Sequence, residues 1–273
     1  MAAGIPLSLS IVDLHTHVIP GVDDGASDLE ESVVAISGLV ESSVTTIVAT
    51  PHFRASLHEQ PPRARSRLEL FDAAWGMLQE AVAKAGLEVR LERGCELKLD
   101  APRVDVTDER LRLAGTQYVL VEFAALQLPP FGGKQLGALR EADVTPILAH
   151  PERYAGFPGA LERAERWRQE GTLFQVNGGS LLGRHGRPAE GAARELLRRG
   201  WVDCVASDYH ARGEPDTAAV RDWLLKAEDG EEIAELLMST NPGRLLAGQD
   251  PVEVPPFEPA EAARRSGLRR WLG

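Results

Sequence analysis

Short apolar runs, each closed by a histidine or a carboxylate, alternate with helical patterns along almost the whole of this chain. Residues 11–14 lead into His15 and His17, 44–49 into His52, 87–91 into Glu96 and 118–121 into Glu122. Residues 145–149 lead into His150, and 202–206 into Asp208 and His210; a further run covers 173–176. Their β-branched and aliphatic content is that of buried strands. Apolar stripes of helical period fill 28–43, 61–86, 129–143, 161–171 and 188–200, with further helical patterns at 217–226, 231–238 and from Asn241-Pro242-Gly243. Ser27 or Asp28 stands where the first helix needs a cap. Strands alternating with helices imply right-handed crossovers and a parallel sheet. About seven such units in one chain favour a closed or nearly closed barrel over an open doubly wound sheet.

Composition narrows what such a barrel can do. At 273 residues and 43% hydrophobic content the chain can bury a sizeable core. No break in composition interrupts residues 1–248, which read as one domain. Residues 249–273 differ: Pro251, Pro255, Pro256 and Pro259 give way to Arg264, Arg265, Arg269 and Arg270 around Leu268 and Trp271. They read as a linker and a loosely ordered, solvated basic tail. A formal charge of −11 argues against a nucleic-acid partner, whose phosphates demand concentrated Lys and Arg. The N-terminus makes a poor signal peptide and no run reaches the ~20 apolar residues of a membrane span. The two cysteines, Cys95 and Cys204, form no Cys-x-x-Cys pair, and a reducing cytoplasm is the expected compartment. Ala101 and His210 stand six positions after them, so a Cys-x5-Arg phosphatase loop is absent.

The chemistry lies in the strand ends. On an extended segment, residues i and i+2 point the same way, so His15 and His17 can aim at one point. In a parallel barrel all the C-terminal strand ends share one face. His15, His17, His52, Glu96, Glu122, His150, Asp208 and His210 would meet there, with five of the seven histidines among them. Asp24 adds a ninth donor, more than one ion can use, and a cluster of two or three divalent metals follows. Imidazole and carboxylate without thiolate suit Mn, Fe or Zn. Such a cluster acidifies water and clamps the attacking and leaving oxygens of an in-line displacement at phosphorus. Arg153 can reach the same face and match a phosphoryl group, the bland alternative being a surface ion pair with Glu152.

Other polar residues carry weaker signals. His58 lies in a polar loop and is expected to face solvent. His185, within Gly183-Arg184-His185-Gly186-Arg187, is expected in a solvated turn. Arg63, Arg65 and Arg67 begin a helix near His52, as a solvated face or a recognition patch. Cys95 and Cys204 look like small packing residues.

With these residues in hand the chain resembles the PHP superfamily of metal-dependent phosphoesterases, and most of all the bacterial protein-tyrosine phosphatases of capsule and exopolysaccharide operons. The resemblance runs from about Ile11 to Leu246. It rests on Asp13-Leu14-His15-Thr16-His17 with Asp23-Asp24-Gly25, on Thr50-Pro51-His52, Gly94-Cys95-Glu96 and Val121-Glu122-Phe123, and on Ala149-His150-Pro151-Glu152-Arg153 and Ala206-Ser207-Asp208-Tyr209-His210. It implies an α/β fold, a distorted (β/α)7 TIM-like barrel (the PHP fold), holding three metals. By motif, His15, His17, Glu96 and Asp208 would hold one ion. Glu96 would bridge to a second held by Glu122 and His150, and Asp24, His52 and His210 would hold the third. Arg153 matches the family's substrate-phosphate arginine. A further family arginine follows the Asp-x-His motif, which makes Arg212 a weak substrate-binding candidate, although it lies nearer the motif than the family pattern has it. Asp13 would orient a histidine from behind. The family's partner is a cognate tyrosine kinase that controls polysaccharide export.

The expected activity is metal-dependent hydrolysis of phosphotyrosine in proteins, with no phosphocysteine intermediate. Three rivals stand beside it: a small-molecule phosphatase of the histidinol-phosphate type, a barrel amidohydrolase, and a silent partner that binds a kinase tail. Nine convergent ligands speak against the last.

Overall fold

The structure is a computed structural model and describes residues 9–260. Among the described residues nine strand segments and nine α-helices follow in order: β1 (Ile11–Thr16), α1 (Leu29–Glu41), β2 (Val44–Ala49), β3 (His52–Arg54), α2 (Pro61–Lys84), β4 (Arg90–Arg93), β5 (Glu96–Leu99), β6 (Tyr118–Phe123), α3 (Gly132–Glu141), β7 (Thr145–Ala149), α4 (Leu161–Gln169), β8 (Leu173–Asn177), α5 (Gly178–Leu181), α6 (Arg187–Arg198), β9 (Cys204–Ala206), α7 (Thr217–Leu224), α8 (Gly230–Glu235) and α9 (Asn241–Leu246). Asp28 is the residue that caps α1, its Oδ1 accepting from the Glu31 amide at 2.9 Å.

The nine segments make seven barrel positions, because two strands are each broken in the middle. One breaks at Thr50-Pro51, between β2 and β3, and the other at Gly94-Cys95, between β4 and β5. Pro51 has no amide hydrogen to give a ladder, and Gly94 packs so closely on Leu113 that a Cβ would lie 2.9 Å from its side chain. The first halves pair as β1-β2-β4 and the second halves join β3-β5-β6-β7-β8-β9, all parallel. The ring closes between the first and last strands: the Asp208 amide donates to the His15 carbonyl and the His17 amide to the Tyr209 carbonyl, each at 2.9 Å. The chain is therefore an α/β protein with a distorted, seven-position barrel. The third strand begins at Arg90, later than the expected 87–91, since it is the partly exposed half of a strand whose buried half follows the break.

Two apolar layers hold the barrel. Outside, the helices pack on the sheet through residues such as Ile36, Leu78, Phe123, Trp167 and Leu196. Inside, Val12, Leu14, Val48, Tyr118, Leu120, Ile147, Ala149 and Cys204 fill the lower barrel, and Leu113, Leu245 and Leu246 pack into the same cluster. Continuing upward along the same strands, the inward positions change to Glu122 after Leu120, and to Gln175 and Asn177 after Leu173. The apolar floor gives way to a polar pit at the C-terminal end.

α8 and α9 are one continuous run joined by a π-helical turn, Leu236–Thr240, immediately before Asn241-Pro242. The proline-bearing stretch after α9 departs from a solvated tail. Asn241 exchanges hydrogen bonds with Val252, 2.7 and 2.9 Å, the Phe257 amide donates to Leu197 at 2.9 Å, and Val254 and Phe257 are buried. Residues 249–260 thus lie on the barrel as an extended strap, mostly without regular structure. The basic residues Arg264, Arg265, Arg269 and Arg270 lie outside the described residues. No helix among the described residues is long and apolar enough to cross a membrane.

Candidate metal centre

All nine expected ligands reach the polar pit. Register shifts in β1, between Ile11 and Val12 and between Asp13 and Thr16, let Leu14 point into the floor and still bring His15 and His17 to the pit. His15 Nε2 and His17 Nε2 lie 3.1 Å apart. Glu96 Oε2 is 3.3 and 3.5 Å from them and Asp208 Oδ1 3.2 and 3.4 Å. His150 and Asp208 both sit in the left-handed region, φ 35° and 54°, one and two residues past the ends of β7 and β9. Such strained backbone persists only where the surroundings hold it, and here it turns both side chains inward.

The donors fall into overlapping groups whose ligand atoms lie within 4.8 Å of one another: His15, His17 and Glu96; His15, His150 and Asp208; His52, Glu96 and Glu122; and His17, Asp24, His52 and His210. Asp24, His52 and His210 therefore meet, with His17 beside them. Glu96 and Glu122 meet at His52, while His150 Nε2 turns to Glu96 Oε1 at 2.9 Å and to the His15–Asp208 side.

The hydrogen bonds behind these groups dictate which atoms face the pit. Asp208, an acceptor only, takes a bond from Asn177 Nδ2 at 2.8 Å; Asn177 Oδ1 then accepts from Gln175 Nε2 at 2.8 Å, and Gln175 Oε1 from His15 Nδ1 at 2.9 Å. His15 Nε2 is left with a lone pair. Asp23 does the same for His17, accepting from Nδ1 at 2.7 Å, and the His17 Nε2 lone pair faces that of His15. Two lone pairs at that distance repel unless a proton or a metal ion sits between them. His52 Nδ1 and Glu96 Oε2 likewise lie 2.9 Å apart without forming a hydrogen bond. Burial pulls the His15 imidazolium down, but Glu96 and Asp208 outweigh it and hold it at about 9. Burial pushes Glu96 up, and His15, His150 and His17 outweigh that to keep it well below the usual carboxylate range. The pit demands positive charge, and its imidazole and carboxylate donors fit divalent metals.

Gln175 and Asn177 were not singled out by sequence, and Asp23 stood there only as part of Asp23-Asp24-Gly25, with no role of its own. Two amides at i, i+2 inside an otherwise apolar strand were the available signal, since a buried amide must find partners. Asp13 orients main chain instead of an imidazole: its Oδ1 accepts from the amides of His15, 3.3 Å, and Ser207, 3.1 Å, tying the first strand to the last. Arg153 does not pair with Glu152. Its guanidinium donates to Asp208 Oδ2 at 2.7 Å, whereas Glu152 turns inward to accept from the Asn177 amide and Ser180 Oγ. Arg212 donates to the Asp24 carbonyl at 2.7 Å and so fastens the loop that carries Asp24. His58 is half-buried against Phe53, ring centroids 5.4 Å apart, because its loop folds back as a 3-10 turn. His185 is exposed, with Nδ1 bonded to Ser180 Oγ at 2.9 Å. Cys95 and Cys204 are buried, and burial pushes both thiols up.

Gly25 explains the last residue of Asp23-Asp24-Gly25. A Cβ there would lie 2.0 Å from the His17 carbonyl oxygen and 2.5 Å from its Cβ. Gly25→Ala must push the ligand loop away from His17. A loss of metal affinity of ~10-fold or more is expected, as when an outer partner of a ligand is removed, and a metal titration of the folded variant checks it.

A family model described as capsular polysaccharide synthesis, CpsB/CapC, matches residues 11–247. The chain belongs to the CpsB/CapC family. The CpsB/CapC match spans all nine pit residues and Arg153. Tyrosine-protein phosphatase YwqE of Bacillus subtilis is 26% identical over 251 residues, 90% of this chain and 95% of that protein. Tyrosine-protein phosphatase CpsB of Streptococcus pneumoniae is 25% identical over 248 residues, 88% of this chain and 99% of that one. A chain from the crystal structures of these two proteins, reported as unique metal-dependent tyrosine phosphatases, shares the fold at TM-score 0.74 and 24% identity, covering 92% of this chain and 99% of its own. The phosphotriesterase homology protein of Escherichia coli shares the barrel more distantly, at TM-score 0.50 and 11% identity over 89% of this chain and 99% of that one.

Proposed function

We propose that this CpsB/CapC chain is a metal-dependent phosphomonoesterase that hydrolyses phosphotyrosine in proteins. The observation that carries the reading is the pit itself: nine donors, two of them with imidazole lone pairs face to face, beside a guanidinium shared with one of the ligands. In this reading His15, His17, Glu96 and Asp208 hold one ion, Glu96 bridges to a second with Glu122 and His150, and Asp24, His52 and His210 hold a third. Manganese is the proposed metal, with iron or zinc as alternatives, since imidazole and carboxylate donors without thiolate admit all three. Divalent ions held there would make water acidic enough to attack phosphorus near neutral pH and would offset charge on the phosphoryl oxygens.

The chain's own groups do the rest. Asp23 and Gln175 fix the two histidine tautomers, so the donors need no rearrangement as the reaction proceeds. Arg153 has one N–H spent on Asp208, and its remaining donors bind the phosphoryl oxygens and stabilise their charge in the transition state. Arg212 holds the Asp24 loop at the mouth. Neither thiol is a nucleophile: both are buried and held protonated. Cys95→Ser with Cys204→Ser should leave turnover intact, measured as kcat on a phosphotyrosine peptide; lost turnover in a folded double variant would point to covalent catalysis.

The tyrosine-phosphatase names of the relatives support the substrate class, and the family description supports a place in polysaccharide synthesis. A cognate bacterial tyrosine kinase is the proposed partner, and the cytoplasm the proposed compartment. The proposed catalytic unit is residues 1–248, with 249–273 appended to it. A substrate panel tests the activity. Phosphotyrosine peptide should give a higher kcat/KM than histidinol phosphate or an amide substrate. A clear preference for histidinol phosphate would replace this reading with a small-molecule phosphatase.

A further inference from the structure

Beside the metal pit lies a cavity of about 510 Å³ lined by His52, Arg54, Leu57, Arg67 and Lys98. That volume falls within the ~300–1,000 Å³ of ligand clefts and far exceeds the needs of one phosphate. Its lining holds three cations and no carboxylate, on a chain whose net charge is −11. The cations come from three elements, β3, α2 and β5, so the charge does not arise from one helix face.

Each cation has a different standing. Arg54 pairs with Asp100 at 2.9 Å, yet its side chain is 66% exposed. Lys98 reaches Glu122 Oε1 at 2.8 Å, linking the cavity to the pit. Arg67 has no carboxylate partner among the described residues: its guanidinium lies 4.7 Å over the Phe71 ring and donates to the carbonyl of Val22, beside the Asp23–Asp24 loop. Of the three arginines that begin α2, Arg63 and Arg65 are exposed, and only Arg67 turns into the cavity. His52 belongs to both places, with Nδ1 toward Glu96 and Nε2 toward Asp24.

We propose that this cavity is a specificity subsite that receives acidic side chains flanking the phosphotyrosine, an assignment that rests on the phosphatase reading above. A phosphoryl group in the pit places the neighbouring residues of the same peptide against the His52 wall. Carboxylates there meet Arg67 and Arg54, while lysines meet like charge. Such complementarity discriminates between partners and weakens as salt rises.

The test compares three peptides, each with a central phosphotyrosine flanked on both sides by glutamates, alanines or lysines, on the full chain with metal supplied. Glutamate flanks should raise kcat/KM over alanine flanks by ~10-fold, one well-placed charge pair, through KM more than kcat. Lysine flanks should lower it, and 0.5 M salt should compress the series. In Arg54→Gln with Arg67→Gln the glutamate-to-alanine ratio should fall toward one. Equal kcat/KM for the three peptides, or an unchanged ratio in the variant, overturns the subsite and leaves the phosphatase reading standing. If no peptide is hydrolysed the phosphatase reading fails. Fluorescence anisotropy of the same labelled peptides then decides the subsite separately: tighter binding of the glutamate peptide, lost in the variant, supports it, and equal binding refutes it.

Discussion

Replacing Glu96 with glutamine is expected to cost more than ~10²-fold in phosphotyrosine turnover, above the ~10–100-fold that outer partners of metal ligands command. The size follows from position. Glu96 Oε2 lies within 3.5 Å of the inner nitrogens of His15 and His17 and 2.9 Å from His52, and Oε1 is 2.9 Å from His150. One carboxylate therefore touches four imidazoles. An amide offers one acceptor oxygen in place of two, carries no charge, and puts an NH2 with no lone pair for a metal where the second oxygen stood. Metal content measured on the same variant separates the causes. Lost occupancy together with lost turnover fits the bridging role, whereas full occupancy and full turnover would remove Glu96 from the centre.

Arg153→Ala carries the second large effect, a fall in kcat of ~10²–10³-fold, the range seen when one preorganised transition-state donor is removed. The loss should appear in kcat and kcat/KM alike, because the interaction strengthens as charge develops on the phosphoryl oxygens. Arg153→Lys should recover only part of it, since an ammonium cannot hold Asp208 Oδ2 and a phosphoryl oxygen with one planar fork. An unchanged kcat in Arg153→Ala would make this residue merely the partner of Asp208.

Much of this was readable in the chain because barrel geometry turns sequence position into spatial position. A polar residue directly after a buried run must surface at the C-terminal face, and His15, His52, Glu96, Glu122, His150 and Asp208 all do. What escaped reading depended on contacts between distant segments. Proline and glycine mark the breaks at Thr50-Pro51 and Gly94-Cys95 locally, but which half of each strand pairs with which neighbour is decided only in the assembled ring. Gln175 and Asn177 carry no charge and match no ligand spacing, so their relay from Asp208 to His15 emerges only when β8 stands beside β9, and β9 beside β1. An ion pair with Glu152 stood as the alternative to a phosphoryl role for Arg153, but the turn after His150 sends the two side chains opposite ways. Residues 249–260 read as solvated from their prolines, yet Val254 and Phe257 found a surface on α6 that their own segment does not announce.

The proposed activity stands or falls with the positive charge that metal ions bring to the pit. The direct measurement is metal content and phosphotyrosine hydrolysis on one sample, before chelation, after exhaustive chelation, and after return of manganese, iron or zinc. Turnover that falls with occupancy and returns with the added metal is the predicted result. Undiminished phosphotyrosine hydrolysis by metal-free protein would contradict it.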